Sequence, residues 1–347
     1  MHFPSGNGAI SLLDDTDLDI VAALHIAPRV PTAALADVLG IPTSTLSRRL
    51  ARLQAERVLR VVGRYAWELI TSSNPFELWI TAAPGEARRV LEALLHIPDI
   101  QFAMHASGPS DIYAHLFPLL GSDSEELLAE RIPSIPGVRA VDSRMILESA
   151  KVGQSWRFDR LADAQVAALE EHVQAVTAPP VTHLAELSEL ELRTMAELGR
   201  NARVTAAEVA RTVGTSSSTA ARAIRMLLQS GAVSPRVEIQ PELVGYPLNA
   251  VVTIDVRPSA IQDVLSSLTD HPSVRLLSTV TGDFPISLYA VFGGPVELAR
   301  FIRDDLGGRP DVRAVSSVAA LRLRRRYWID REGHLLGQQV QDVLRAP

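Results

Sequence analysis

Ser44, Ser47, Arg48, Arg49 and Arg52 lie in one short stretch whose apolar residues, Leu46, Leu50 and Leu53, recur at helical spacing. A helix there buries the leucines and turns hydroxyls and guanidiniums outward. Hydroxyls bond phosphates or base edges, and arginine forks onto guanine or neutralises phosphate. That is chemistry for a nucleic-acid groove, with Thr43, Ser44, Thr45, Ser47, Arg48, Arg49 and Arg52 as candidate contacts. The same pattern also suits a plain three-helix bundle with a solvated polar face. From Ile41 to Arg64 the chain carries Arg48, Arg49, Arg52, Arg57, Arg60 and Arg64 against one acid, Glu56, a basic patch on a protein of net charge -6.

Other chemistry is poorly represented. The chain has no cysteine, which excludes disulfides, thiolate metal sites and cysteine nucleophiles. His96, His105 and His115 cluster, but their spacing matches no common zinc motif. No glycine-rich phosphate loop and no nucleophile elbow is present. The expectation is therefore a non-enzyme with no metal and no cofactor. No segment reaches the ~20 uninterrupted apolar residues of a membrane span, and no signal core follows the N-terminus, so the expected address is the cytoplasm. Lys151 is the only lysine, and arginine carries almost all positive charge.

The elements that position these residues occur twice. Shifted by 174 residues, Leu13 meets Leu187, Leu24 meets Leu198, Arg29 meets Arg203, Gly40 meets Gly214, Arg48 meets Arg222, and Val138-Arg139-Ala140-Val141 meets Val312-Arg313-Ala314-Val315. Each copy opens with three helices. Asp14-x-x-Asp17 and Ser188-x-x-Glu191 cap the first, Thr205-x-x-Glu208 caps the second of copy two, and Gly40 and Gly214 suit left-handed C-caps. In copy two, Ala220, Ile224 and Leu227 form the buried face of the third helix, leaving Ser217, Ser218, Thr219, Arg222 and Arg225 as candidate DNA contacts. Ala223 stands where copy one has Arg49, so copy one is expected to be the stronger reader.

After the helices each copy reads βαββαβ, the order of a ferredoxin-like sandwich. The fold class expected is α+β: two helix-turn-helix (winged-helix-like) domains, 10–64 and 187–240, alternating with two ferredoxin-like βαββαβ domains, 74–150 and 248–328. A connector, 151–186, is predicted helical over Leu161–Val176, and 329–347 reads as a tail.

Each copy resembles the Lrp/AsnC (feast/famine) family of transcriptional regulators. The resemblance rests on Leu13-Asp14-x-x-Asp17, Ala36-x-x-Leu39-Gly40-Ile41, Arg48-Arg49-Leu50-x-x-Leu53, Ser107-Gly108-Pro109-Ser110-Asp111 and Pro136-Gly137-Val138, with weaker counterparts in copy two. It implies double-stranded DNA as partner and α/β domains that pair and bind a small effector, such as an amino acid, near the Gly-x-x-Asp loop. It also implies a homodimer or higher oligomer. The effector candidates are Gly108, Ser110 and Asp111, with Gly282 and Asp283 in copy two, where Pro285 replaces the acid. Glycine lets backbone approach a ligand and an acid holds an ammonium, but the same residues also make an ordinary hairpin turn.

Two alternatives remain open. Siroheme decarboxylases share this architecture, Asn74-Pro75-Phe76-Glu77-Leu78-Trp79 faintly resembles them, and His105 with Arg144 would be the candidate pocket residues. A non-DNA assembly module is the other.

Overall fold

The protein is described by a computed structural model covering residues 12–340 and 343–344. Residues 10–11 of the expected first domain, and 341–342 and 345–347 of the expected tail, lie outside the described residues. No helix among the described residues is long and apolar enough to cross a membrane.

Copy one begins with α1 (Asp15–Ile26), α2 (Thr32–Leu39) and α3 (Thr43–Ala55), followed by strand β1 (Arg60–Tyr65) and the single turn α4 (Trp67–Ile70). The Asp14–Asp17 capping box starts α1, and Gly40 ends α2 at φ 66°, a left-handed cap that glycine adopts without a Cβ penalty. Leu46, Leu50 and Leu53 are buried, as the spacing predicts. An α/β domain follows: β2 (Phe76–Ala82), α5 (Ala87–Leu95), β3 (Ile100–Ala106), β4 (Ile112–Leu116), a π-helical stretch over Glu126–Arg131, and the long β5 (Val138–Lys151).

The connector is α-helical over α6 (Asp163–Glu170), shorter than the composition predicts, with short 3-10 turns at Gly153–Ser155 and Leu184–Glu186. Leu169 anchors α6 in the core, whereas Val173 and Val176 are exposed, so the residues beyond it supply no buried apolar face to hold a longer helix. Copy two repeats the plan with α7 (Glu189–Arg200), α8 (Ala206–Val213), α9 (Ser217–Gln229), β6 (Val233–Glu238), β7 (Leu248–Val256), α10 (Ile261–Thr269), β8 (Val274–Val280), β9 (Ile286–Phe292), α11 (Pro295–Arg300) and β10 (Val312–Arg326). The segment expected as a tail instead forms a hairpin, β11 (Ile329–Glu332) and β12 (Leu335–Gln339), that extends the sheet from β10.

The two copies pair within one chain. β1 and β6 run antiparallel with Arg60 opposite Glu238, Val62 opposite Arg236 and Arg64 opposite Ser234. Exchanging the copies maps this register onto itself, so a pseudo-twofold axis passes through the Val62–Arg236 pair. The α/β domains follow the same symmetry. β5 pairs with β2 of its own copy and then crosses to β8, while β10 pairs with β7 and then crosses to β3. Eight strands thereby close into a ring, β10-β3-β4-β2-β5-β8-β9-β7. Helices cover the outside, and the inner faces meet in a core holding Phe102, Met104, Tyr113, Val251, Tyr289 and Val318. Every residue of β4 and β9 is buried, because each strand is covered on both faces.

Candidate nucleic-acid interface and interior cavity

On α3 the structure separates the candidate arginines. Arg49 Nη1 lies 2.7 Å from Asp14 Oδ2 and 3.0 Å from Asp17 Oδ1, and Arg52 pairs with the other oxygen of Asp17. Asp17 is buried at 1% exposure, so both arginines tie α3 to the start of α1. A backbone hydrogen bond from Asp17 and the Arg49 guanidinium hold the Asp14 carboxyl below its usual range. Arg48 is exposed and has no side-chain partner among the described residues, and Thr43, Ser44 and Ser47 are exposed beside it, with Thr45 half-buried.

α9 differs. Its N-cap Ser216 accepts from Thr219 N, and Ser217, Ser218, Arg222 and Arg225 are exposed. Neither Arg222 nor Arg225 has a partner among the described residues. Copy two thus offers two free guanidiniums where copy one offers Arg48 alone. Sequence reading counted charges but missed the Asp14–Asp17 lock, because both acids were assigned to capping. A carboxylate has lone pairs for a backbone amide and a guanidinium together.

The Gly-x-x-Asp loop lies where copy one meets β10. Ser107 N donates to Ala319 O and Ala319 N donates back to Ser107 Oγ at 3.2 Å, while Gly108, at φ 129°, faces Val318. Asp111 Oδ2 accepts from Ala82 N at 2.8 Å. Gly282, at φ 104°, packs near Arg144 in the equivalent junction, where Met145 N donates to Thr281 Oγ1. Gly108 and Gly282 therefore sit at matching seams, with Ser110, Asp111 and Asp283 in the same two loops.

Neither loop lines the interior cavity. That cavity, about 430 Å³, lies between the inner sheet faces and the β1–β6 ribbon. Its lining interleaves aromatic residues, Phe102, Phe117, Tyr289, Tyr327 and Trp328, with Arg64, Arg236, Arg275 and Arg326, and the Arg236 guanidinium lies over the Tyr327 ring, 5.0 Å from its centroid. His115 also faces it; burial lowers its imidazole to about 3, leaving it neutral. Behind His115, the Tyr113 hydroxyl donates to Glu77 Oε1 at 2.8 Å and lies 2.7 Å from His115 Nε2. Burial raises the Glu77 carboxyl despite that hydrogen bond. His105 and Arg144 are not brought together: neither lines the cavity, and Arg144 pairs with Asp142 and stacks over Trp79. Among the described residues no group of three or more His, Asp or Glu side chains is placed to hold a metal.

Of the cavity arginines, Arg236, Arg275 and Arg326 are absent from the sequence reading, and Arg64 enters it only as part of the basic patch. A signal was available: after the 174-residue shift those three meet Val62, Gln101 and Val152, so they break a duplicated, mostly apolar pattern.

Comparison with known proteins accords with this architecture. Residues 13–54 match the AsnC-type helix-turn-helix domain, 187–234 a winged helix-turn-helix DNA-binding domain, and 249–327 the Lrp/AsnC ligand binding domain. An uncharacterized HTH-type transcriptional regulator of Pyrococcus furiosus is 30% identical over 150 residues, 41% of this chain and 97% of the relative. The HTH-type transcriptional regulator AldR of Mycolicibacterium smegmatis is 27% identical over 145 residues, 39% of this chain and 82% of the relative. Among solved structures, the siroheme decarboxylase NirDL covers 90% of this chain, and this chain 93% of it, with TM-score 0.58 at 14% identity. That likeness shows the shared tandem fold.

Two paired helix-turn-helix heads over paired α/β ligand-binding domains define a DNA-binding transcriptional regulator. The chain belongs to the Lrp/AsnC family.

Proposed function

We propose that this chain is a one-component regulator in which α3 and α9 dock on double-stranded DNA and a small molecule bound by the α/β ring alters how the heads sit. The observation that carries this is the intramolecular pseudo-dimer: two heads joined through β1 and β6 present Arg48, Arg222 and Arg225 to solvent. The exposed hydroxyls of Ser44, Ser47, Ser217 and Ser218 complete each surface. Each phosphate neutralised contributes a salt-dependent increment to affinity. In a mobility-shift assay on DNA from upstream of the gene, Arg222→Ala with Arg225→Ala should weaken binding more than Arg49→Ala, whose guanidinium is held by acids. Equal losses would overturn the assignment of contacts.

The loops at the two seams are the proposed place for an amino-acid effector, with Gly108, Ser110 and Asp111 in one and Gly282 and Asp283 in the other. Their support is position, since each seam joins one copy's loop to the other copy's long strand. An effector acts only through unequal affinity for two arrangements, and a seam between copies differs between arrangements. Calorimetry across an amino-acid panel tests it; binding that survives Asp111→Ala removes the acid as anchor. We further propose a cytoplasmic homodimer or higher oligomer acting without catalysis, which a strictly monomeric mass by light scattering would reject.

A siroheme decarboxylase-like enzyme is the second reading, favoured by the His115–Tyr113–Glu77 hydrogen-bonded chain at a cavity with arginines. Adding a siroheme-type tetrapyrrole and seeing neither spectral change nor CO2 release would dispose of it.

A further inference from the structure

We infer that the interior cavity is a binding site for an organic anion carrying two or more acidic groups on an apolar, ring-containing body. The inference depends neither on DNA binding nor on turnover. It starts from a charge imbalance. Arg236, Arg275, Arg326 and Arg331 are exposed by 8%, 2%, 4% and 3%, and they gather around a single carboxylate, Glu238, which is fully buried. Glu238 pairs with Arg236, with Arg331, and with Arg326 Nη2 at 2.9 Å. Its oxygens are fully engaged by those three.

Arg275 makes no hydrogen bond or ion pair with Glu238. Both terminal nitrogens of Arg275, and Nη1 of Arg326, lack a hydrogen-bond partner among the described residues. The Arg275 guanidinium is held instead over the Trp156 ring, 4.1 Å from its centroid. Stacking orients a guanidinium but satisfies none of its in-plane donors. Burying a cation without a counter-charge is costly, and such groups are otherwise found paired. A ligand acid at the cavity's cationic cluster would supply the missing partner through forked hydrogen bonds.

The rest of the cavity sets the ligand's other properties. Four arginines line the cavity, and unpartnered terminal nitrogens lie on two of them, Arg275 and Arg326, which calls for more than one acidic group. Beside them, Phe102, Tyr289 and Trp328 offer faces for an apolar ring. Exposed Leu147, Glu68 and Glu148 also line the cavity, so it opens to solvent on their side. A volume of about 430 Å³ falls in the range of small-molecule sites. Arg236, Arg275 and Arg326 belong to copy two, with Val62, Gln101 and Val152 as their counterparts in copy one, and Arg64 of copy one joins them, so one chain forms one such cluster.

Calorimetry and thermal shift at fixed ionic strength with the full chain test the inference. The probes are naphthalene-2,6-dicarboxylate, 2-naphthoate and the neutral dimethyl ester of the diacid. The diacid should bind at least about tenfold more tightly than 2-naphthoate, and the ester should not bind at about 1 mM. Arg275→Met should weaken the diacid at least tenfold while the ligand-free variant melts no lower than the parent, because an uncompensated buried charge has been removed. Asp111→Ala should leave diacid binding unchanged, which separates this site from the loop proposed above. The inference is overturned if the diacid binds no better than the ester, if Arg275→Met binds it as the parent does, or if Asp111→Ala abolishes binding. Should Arg275→Met fail to fold, the comparison among the three probes on the unaltered chain decides alone.

Discussion

Asp17 serves three partners at once: its carboxylate accepts from Asp14 N at 3.2 Å, from Arg49 and from Arg52. Replacing it by Asn removes the charge, frees Arg52 from its buried acid and leaves Arg49 with Asp14 alone. We expect Asp17→Asn to destabilise the first head by about 1–3 kcal/mol, the range for losing hydrogen bonds between charged groups at a partly solvated site. The loosened arginines should also steepen the salt dependence of DNA binding, by up to ~0.9 per added phosphate contact on a log–log plot. Urea unfolding and salt-titrated mobility shifts read the two effects separately, and an unchanged salt slope would show that Arg49 and Arg52 cannot reach DNA. At this scale the sequence was legible where one residue had one task. The buried faces of α3 and α9 followed from period alone, since leucine and isoleucine have nothing to do but pack. Asp17 and Arg275 were not legible, because their partners lie 32 and more residues away and only folding decides which charge meets which.

At the scale of elements, the joint between the heads is a reciprocal clamp. Arg29 donates to Ala202 O and Val204 O, and Arg203 donates to Pro28 O at 2.8 Å and Val30 O at 2.9 Å. The two arginines and the two pairs of carbonyls are related by the same 174-residue shift, so the chain makes an isologous contact with itself. Alignment of Arg29 with Arg203 was visible in the sequence, but that each reaches across the axis was not, because a repeat says nothing about which copy supplies a partner. Burial lowers both guanidinium pKa values, and Arg203 adds repulsion at Arg29. Each single alanine variant should cost about 1–3 kcal/mol. The double variant should cost more than their sum, because each single variant already relieves the repulsion and the double variant relieves it only once. A double-mutant cycle by urea unfolding checks the sign; strict additivity would mean the two clamps act independently.

The whole molecule buries titratable groups whose charge states differ between folded and unfolded chains. Burial holds His25 and His115 at about 3, against about 6.5 for an unfolded histidine. Both are neutral in the fold, so below pH 6.5 the unfolded chain binds more protons and stability falls as pH falls. Each histidine contributes a slope of about 1.4 kcal/mol per pH unit once the unfolded chain is fully protonated and until pH approaches 3. Glu77 acts in the opposite sense, since burial raises its carboxyl and the folded chain takes up its proton first on acidification. Glu238 acts with the histidines, but only below the ordinary glutamate range: burial pushes its carboxyl up, and Arg236, Arg326 and Arg331 outweigh that and hold it down. Between pH 6.5 and 4.5 the histidines therefore set the direction, and the ring should lose stability steadily. His25 lies edge-on to Trp156 and Phe158, with ring centroids 5.6 and 5.7 Å away, so His25→Phe keeps an aromatic group there. That variant should give up the hydrogen bond from His25 Nδ1 to Val21 O at 2.9 Å and lose stability at pH 7.5. Its deficit should shrink by about 1.4 kcal/mol for each unit of acidification below pH 5.5, since the contribution of His25 to the slope is gone. Urea midpoints at pH 7.5, 5.5 and 4.5 decide it; a deficit that stays constant across those conditions would mean that His25 is protonated in the fold and that its burial does not govern its charge.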